Sequence, residues 1–260
     1  MINEPAAADP SCRHSVCLVV PCYNEAARLD VENFRAFMAG NACVHLLFVD
    51  DGSRDNTLEV LARLQRGLEQ RSTILPGKPN RGKAEAVRLG ILHALERFQP
   101  DIVGFWDADL ATPLNAMHRF IEIFDSRPDI EMVFGSRVKL LGRDVRRRAL
   151  RHYLGRIFAT AVSTMLRLPI YDTQCGAKLF RAEPHTREIF AAPFLSKWVF
   201  DVEIIARYLR LYNRDTKRVE KIVYEYPLET WIDIAGSKVR PTDFLTAFWD
   251  VVRIRRKYLS

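Results

Sequence analysis

The sequence predicts an α/β fold built on a mostly parallel central sheet. Three observations carry that expectation. Short apolar, β-branched runs recur at 16–21, 44–49, 72–75, 102–106 and 130–134. Stretches of helical periodicity separate them, which is the βαβ pattern of a parallel sheet. Two of the runs end in carboxylates, at Val49-Asp50-Asp51-Gly52-Ser53 and Trp106-Asp107-Ala108-Asp109. Buried strands that end in this way deliver acidic groups to the rim where open α/β sheets bind ligands.

The elements follow in order. Residues 1–14 read as a loose tail, and 15–241 as one domain. After the first strand, 25–38 carry helical spacing through Leu29, Phe34, Phe37 and Met38. Asp55-Asn56-Thr57 offers caps for a helix through Leu58, Leu61, Leu64 and Leu68. The loop Lys78-Pro79-Asn80-Arg81-Gly82-Lys83 opens a helix over 84–98. Pro113 starts another, ending at 124, with proline at a permitted first-turn position. Beyond Gly135 the alternation stops. Residues 145–168 read as a long amphipathic helix, 198–211 as a second helix and 219–226 as an edge strand. A basic amphipathic helix over 242–260 closes the chain.

Composition narrows the class. With 260 residues, 48% hydrophobic and 27% charged, the chain has the makeup of a soluble domain with a proper core. The net charge is +7, concentrated at 143–156 and 253–257, which suits anionic partners. Five cysteines, with no C-x-x-C spacing, argue against zinc, against a disulfide framework and for a reducing cytosol. The polar N-terminus lacks the marks of a signal peptide, and no apolar run is long enough to span a bilayer. The expectation is a cytoplasmic protein without a transmembrane helix.

The acidic turns carry the chemistry. Asp107 and Asp109 alternate so that two carboxylates can share a hard cation and a diphosphate. Carboxylates alone repel diphosphate, and Mg²⁺ or Mn²⁺ between them reverses the sign and stabilises the leaving group. That combination points to nucleotide-sugar chemistry. Adjacent Asp50 and Asp51 repel each other unless something uses them, and Asp51 can accept from the imide N–H of uracil, while Asp55 suits capping. Pro21-Cys22-Tyr23-Asn24-Glu25 follows the first strand, where Tyr23 can face a base and Glu25 a ribose or base. A plain turn capped by Asn24 accounts for that segment equally well. Asn80-Arg81-Gly82-Lys83 can offer cations and helix N–H groups to phosphate, but it lacks the P-loop pattern.

Further on, Gly135-Ser136-Arg137 ends a strand and leads into a basic sector with Arg143, Arg146, Arg147, Arg148 and Arg151. Arginine suits bidentate phosphate recognition. Leu150, Leu154, Ile157, Phe158, Ala161, Met165 and Leu168 form an apolar stripe beside it, and Phe244, Leu245, Ala247, Phe248, Trp249, Val251, Val252 and Ile254 repeat that character. Basic groups beside an apolar face mark helices lying on anionic lipid, whereas a core-facing role is the ordinary alternative. Asp201 and Glu203 open a helix and suit a base or its dipole. Gly236-Ser237-Lys238 reads as a loop carrying a cation over a diphosphate.

Taken together, these segments resemble family-2 glycosyltransferases of the GT-A (Rossmann-like) fold, and more narrowly the dolichyl-phosphate β-glucosyltransferases and mannose synthases. The resemblance rests on Val20-Pro21-Cys22-Tyr23-Asn24-Glu25, the two acidic turns, Asn80 to Lys83, Gly135-Ser136-Arg137, Asp172 to Phe180 and Gly236-Ser237-Lys238, in family order over nearly the whole chain. It implies that Pro21, Tyr23, Asn24, Glu25, Asp50, Asp51, Lys83, Asp107, Ala108 and Asp109 hold the nucleotide sugar. It implies Asp107 and Asp109 as metal ligands. Arg137, Arg147, Arg148, Asp172, Gln174, Ser237 and Lys238 would serve the acceptor phosphate, and Asp109, Arg137, Asp201 and Lys238 catalysis. Asp172-Thr173-Gln174-Cys175-Gly176 leans toward the glucosyl branch.

Two departures are noted. Some mannose synthases place a metal-binding glutamine where this chain has Ala111, and many relatives carry transmembrane helices. The implied reaction is inverting transfer of glucose from UDP-glucose to a polyprenyl phosphate, with Mg²⁺ or Mn²⁺, by an enzyme peripheral on the cytoplasmic membrane face. A soluble hydroxyl acceptor with Asp201, Glu203 or Asp172 as base is the runner-up. A non-catalytic binder of nucleic acid or anionic membrane would not need Asp107 and Asp109. A nucleotidyltransferase would need a Gly-rich turn after the first strand. Nucleic acid is not expected as a partner, and self-association is left open.

Overall fold

The computed structural model describes residues 13–146, 149–234 and 241–260, without the side chains of 149–152, 154 and 241–245. In chain order the first elements are β1 (Val16–Cys22), α1 (Val31–Gly40), β2 (Val44–Asp50), α2 (Thr57–Gln65), β3 (Ser72–Pro76), α3 (Lys83–Arg97) and β4 (Ile102–Trp106). Next come α4 (Ala116–Ser126), β5 (Met132–Ser136), β6 (Asp144–Arg146), α5 (Ala149–Leu166), β7 (Ala177–Arg181) and α6 (Pro184–Ala191). The chain continues with α7 (Phe200–Leu211), α8 (Thr216–Ile222), β8 (Val223–Pro227), β9 (Thr230–Ile232) and α9 (Pro241–Tyr258). It divides into two compact units, one of residues up to 110 with 179–191, the other of 111–178 with 192–260.

In the first unit the strand order is β3-β2-β1-β4. All three pairings are parallel, with Cys22 opposite Asp50 and Asp50 opposite Pro76. The carboxyl ends of β1 and β2 therefore stand side by side. Val16 to Val20 and Leu46 to Val49 are buried, as expected for strands covered on both faces. Helix α3 rides directly on them. A Cβ on Gly90 would lie 2.4 Å from Val19 Cγ1 and 2.9 Å from Val49 Cγ2, so only glycine admits this approach.

The helix predicted over 25–38 starts later, at Val31, where Asp30 caps it by accepting from the Asn33 N–H at 3.0 Å. Glu25 to Leu29 form a turn instead, because the Glu25 carbonyl accepts from the Arg28 and Leu29 N–H groups.

A titratable group sits in this unit away from the rim. His45 on β2 stacks on Phe98, with ring centroids 4.1 Å apart, and its Nε2 lies 2.9 Å from Thr73 Oγ1. Burial, helped by the fields of His93 and Arg71, lowers its pKa from 6.5 to about 4. The folded state thus refuses a proton that the unfolded chain accepts. The resulting stability is complete above pH 6.5 and is lost as pH falls through 4. The loss amounts to roughly 3 kcal/mol. Urea unfolding at stepped pH should show this acid limb in the wild type and a shallower one in His45→Gln. Identical limbs would remove His45 as the cause.

In the second unit β5 and β8 pair in parallel, with Phe134 opposite Glu225 and Ser136 opposite Pro227. A second, two-stranded parallel sheet joins β6 to β9. Helix α7 is buried along nearly its whole length and packs against α9 and α5. Neither the small sheet nor α6 and α8 was expected. The stretch 219–226, expected to be one edge strand, is the end of α8 followed by β8. Its Val219 and Ile222 are buried by helical rather than alternating spacing.

Two expectations remain. Cys17, Cys22 and Cys175 are buried thiols, but Cys43 is disulfide-bonded, against the expectation of no disulfide. Among the described residues, no helix is long and apolar enough to cross a membrane.

Candidate active site

In the first unit four segments meet at the carboxyl ends of the strands. Gly52 turns the chain after β2 with φ +74°, and a Cβ there would lie 3.1 Å from both Asn80 N and Gly77 O. Asp50 is fully buried and accepts from the Ser53 N–H at 3.2 Å. Buried Asp51 accepts from the Arg81 N–H at 2.8 Å and the Gly82 N–H at 2.7 Å, one per carboxylate oxygen. Asn80 Nδ2 donates to the Asp51 carbonyl at 2.9 Å. Two N–H groups that the sequence offered to phosphate are therefore engaged by Asp51. This answers the question of what offsets the Asp50–Asp51 repulsion: each carboxylate has its own backbone donors.

The loop after β1 is stitched to the loop after β2. Asn24, at φ 51°, donates its N–H to Ser53 Oγ at 3.0 Å and accepts from the Arg54 N–H at 2.8 Å. The Glu25 N–H donates to Thr57 Oγ1 at 2.8 Å, and Thr57 is held in turn by Asp55. Glu25 is buried and grips Arg28 through Nε at 2.8 Å and Nη2 at 2.6 Å. Pro21 and Tyr23 are half-buried beside it.

Asp107 and Asp109 follow β4, flanking the buried Ala108. Leu110, at φ 53°, closes the turn by donating to the Asp107 carbonyl at 3.2 Å. Lys83 Nζ lies 2.5 Å from Asp107 Oδ1, both half-exposed. The Arg28 guanidinium is held in its charged form first by Glu25 and then by the fields of Asp109 and Asp107. The aspartate turn thus already pairs with one cation, Lys83, and Arg28, held by Glu25, feels its field.

This donor set suits a hard divalent ion. Among the described residues no group of three or more His, Cys, Asp or Glu side chains converges as a cage. Mg²⁺-type sites are commonly held by one or two carboxylates plus substrate phosphates and water, which matches a two-aspartate turn.

The second unit holds the other predicted group. Arg137, directly after β5, meets Asp172 in a bidentate pair, Nε–Oδ2 2.6 Å and Nη2–Oδ1 2.7 Å. Its backbone N–H donates to the same carboxylate at 3.0 Å, as does that of Gln174 at 3.1 Å. The guanidinium lies 5.4 Å over the Trp231 ring. Glu225 of β8 accepts from the consecutive N–H groups of Tyr171 and Asp172, and burial raises its pKa against those bonds. In the loop so held, Thr173 Oγ1 and Gln174 Nε2 are buried without a hydrogen-bond partner among the described residues. Gly135 is required here, since a Cβ would lie 2.9 Å from Cys175 Sγ.

Asp201 lies deeper. It is buried and pairs at 2.7 Å with Lys178, itself fully buried, which also donates to the Cys175 carbonyl. Glu203 is fully buried within α7 and bound to Arg207 and Tyr258. Arg147, Arg148, Ser237 and Lys238 lie outside the described residues. Sequence reasoning missed Arg28 and Glu225. The i,i+3 spacing from Glu25 signals the first, and a lone carboxylate amid Val223-Tyr224-Glu225-Tyr226 signals the second.

Known proteins bear out the family. The model of "Glycosyl transferase family 2" matches residues 17–187. A dolichyl-phosphate β-glucosyltransferase of Dictyostelium discoideum is 33% identical over 93% of this chain and 74% of its own. One of Saccharomyces cerevisiae is 31% identical over 93% of this chain and 74% of its own. Among solved structures, Mycobacterium tuberculosis glucosyl-3-phosphoglycerate synthase in complex with Mn²⁺, UDP-glucose and glycerol 3-phosphate superposes with TM-score 0.61 at 17% identity. It covers 93% of this chain and 78% of its own. The fold is that of the GT-A enzymes, and the chain belongs to glycosyl transferase family 2, beside the dolichyl-phosphate β-glucosyltransferases.

Proposed function

We propose that this protein transfers glucose from UDP-glucose to the phosphate of a polyprenol, with inversion. The observation that carries the donor side is the aspartate turn of Asp107 and Asp109, which already pairs with Lys83. Asp107 and Asp109 would hold Mg²⁺ or Mn²⁺, which when bound offsets charge growing on the departing UDP. Lys83 then serves the diphosphate, and Pro21, Tyr23, Asn24, Glu25, Asp50, Asp51 and Ala108 shape the nucleotide's seat. Relatives named for dolichyl phosphate and a fold neighbour holding UDP-glucose with Mn²⁺ support this assignment.

The acceptor side follows from what needs a base. An acceptor phosphate oxygen attacks the anomeric carbon, the bond to UDP breaks, and UDP leaves with the electron pair. A phosphate is already an anion at neutral pH, so no proton has to move. A hydroxyl acceptor would require a carboxylate base. Asp172, Asp201 and Glu203, the three candidates, are each engaged by a cation, Arg137, Lys178 and Arg207. That favours phosphate over the hydroxyl alternative. Arg137 with Gln174 would orient the phosphate, and Arg147 or Arg148 would add charge. Ser237 and Lys238 would cover the diphosphate. Asp201 would act on this region through Lys178, not by taking a proton.

A lipid acceptor calls for a membrane surface, and the second unit offers one. On α5, Tyr153 and Ile157 are 68% and 66% exposed, one turn apart, with exposed Arg156 between them. On α9, Phe248 and Trp249 are 56% and 69% exposed and precede exposed Arg253, Arg255, Arg256 and Lys257. Apolar groups flanked by cations suit anionic lipid. We take this as peripheral attachment at the membrane face that carries the nucleotide sugar.

The test pairs two lipids. With UDP-glucose supplied, a short-chain polyprenyl phosphate should gain one hexose by mass spectrometry, and the matching polyprenol should not. Glucosylation of the alcohol would restore the hydroxyl reading.

A further inference from the structure

We propose that Glu225 is a positioning residue for the acceptor phosphate, acting through Asp172 on Arg137; this rests on the acceptor reading above. The contacts form one chain. Glu225 Oε2 accepts from the Tyr171 N–H at 2.8 Å, and Oε1 accepts from the Asp172 N–H at 2.7 Å. Each carboxylate oxygen therefore fixes one of two consecutive peptide groups. The side chain of the second, Asp172, then takes Arg137 by Nε, Nη2 and backbone N–H, at 2.6, 2.7 and 3.0 Å.

Strand pairing sets the geometry at its base. Glu225 stands opposite Phe134, and Arg137 follows the end of that same strand, so both ends of the relay are anchored on β5 and β8. The guanidinium is planar, with its donors in a fixed fork. Fixing the edge that faces Asp172 sets the direction of all the others. The Trp231 ring, 5.4 Å away, limits rotation out of that plane. The same grip holds the loop carrying Thr173 Oγ1 and Gln174 Nε2, buried donors without a partner among the described residues. Glu225 thus prepares three phosphate-seeking groups without touching the phosphate.

A purely structural role would weaken everything equally. A positioning role separates the substrates. Glu225→Gln keeps the size but replaces one accepting oxygen by an NH₂ group that faces a backbone N–H, so one of the two bonds is lost. The expected result is an acceptor KM raised roughly tenfold to a hundredfold, the scale of an ångström-level misplacement. UDP affinity, read by calorimetry on the same protein, should be unchanged. Adding Asp172→Asn to that variant should cost little more, since both changes cut the same relay. Glu225→Asp, which keeps the charge but is one methylene shorter, guards against a fold defect and should raise the acceptor KM to an intermediate value.

An unchanged acceptor KM in both folded variants overturns the proposal. Equal losses toward UDP and acceptor also overturn it, leaving Glu225 as a strut. Additive losses with Asp172→Asn would break the relay. If the wild type transfers to no polyprenyl phosphate, the acceptor reading itself fails and takes this role with it. That outcome is seen before any variant is made.

Discussion

Asp109→Ala is expected to lose glucosyl transfer by roughly 10²–10³-fold, the scale of removing one preorganised electrostatic group from a transition state. The reasoning starts from the turn after β4. Its two carboxylates stand half-exposed, where a charged substrate can reach them, and Asp107 pairs with Lys83. No third carboxylate, histidine or cysteine joins them in a cage among the described residues. Each aspartate therefore carries a large share of the affinity for a divalent ion, and losing one leaves diphosphate facing a weaker counter-charge. Asp107→Asn should act in the same direction and also release Lys83. Both variants should unfold at the wild-type temperature, because neither side chain is part of the core. Steady-state rates with UDP-glucose at several Mn²⁺ concentrations check this. Full metal-dependent transfer by Asp109→Ala would remove the aspartate turn from the mechanism.

Glu203→Ala is expected to cost about 3–5 kcal/mol of stability, the range for breaking a buried ion pair by removing one partner. Glu203 is fully buried and accepts from Arg207 Nη2 at 2.7 Å, the Tyr258 hydroxyl at 2.8 Å and the Leu195 N–H at 2.7 Å. Arg207 donates in addition to the Ala192 and Pro193 carbonyls, both at 2.8 Å, and lies 4.3 Å over the Phe194 ring. One carboxylate thus ties α7 to the end of α9 and to the loop before α7. Truncating it strands a buried guanidinium and a buried hydroxyl. Burial and Glu203 push the Tyr258 hydroxyl up to about 12, so it remains a donor across the working range. Tyr258→Phe removes a single bond to a charged group and should cost only about 1.5–3 kcal/mol. Urea unfolding of the three proteins measures the order. Equal stability of Glu203→Ala and wild type would show that α9 is held by its apolar face alone, through Ala247, Val251 and Ile254.

What the sequence made legible follows from its periodicities. The strands of the first unit were readable because each is a continuous apolar run ending in a polar turn, and the register of Cys22 with Asp50 brings those turns together. The acidic turns proposed for the donor were readable for the same reason, since a strand end shows in sequence as a carboxylate after an apolar run. Small elements were not. β6 and β9 have three residues each, too few for any alternation to register. The α8–β8 boundary was hidden because Ile222, Tyr224 and Tyr226 keep a period of two straight across the true change from helix to strand. Partnerships were hidden too. Asp201 and Glu203 look alike in sequence as acids opening a helix, yet one meets Lys178 and the other Arg207 and Tyr258. Lys178 lies 23 residues before Asp201, and Tyr258 lies 55 after Glu203, so no local pattern could assign them. Asp51 was singled out as a carboxylate whose charge had no visible compensation. Its compensation by Arg81 and Gly82 became visible only once the 78–82 loop was placed against it.

The aspartate turn and the arginine relay are proposed to serve one transfer, from a nucleotide sugar to a lipid phosphate. The most direct test is the mass spectrum of lipid recovered after incubating the protein with UDP-glucose, a short-chain polyprenyl phosphate and Mn²⁺, with and without EDTA. A hexosyl-phosphoryl-polyprenol is expected to form with UDP-glucose and to vanish with the chelator. Release of UDP with no lipid product, or a product indifferent to EDTA, would contradict the proposal.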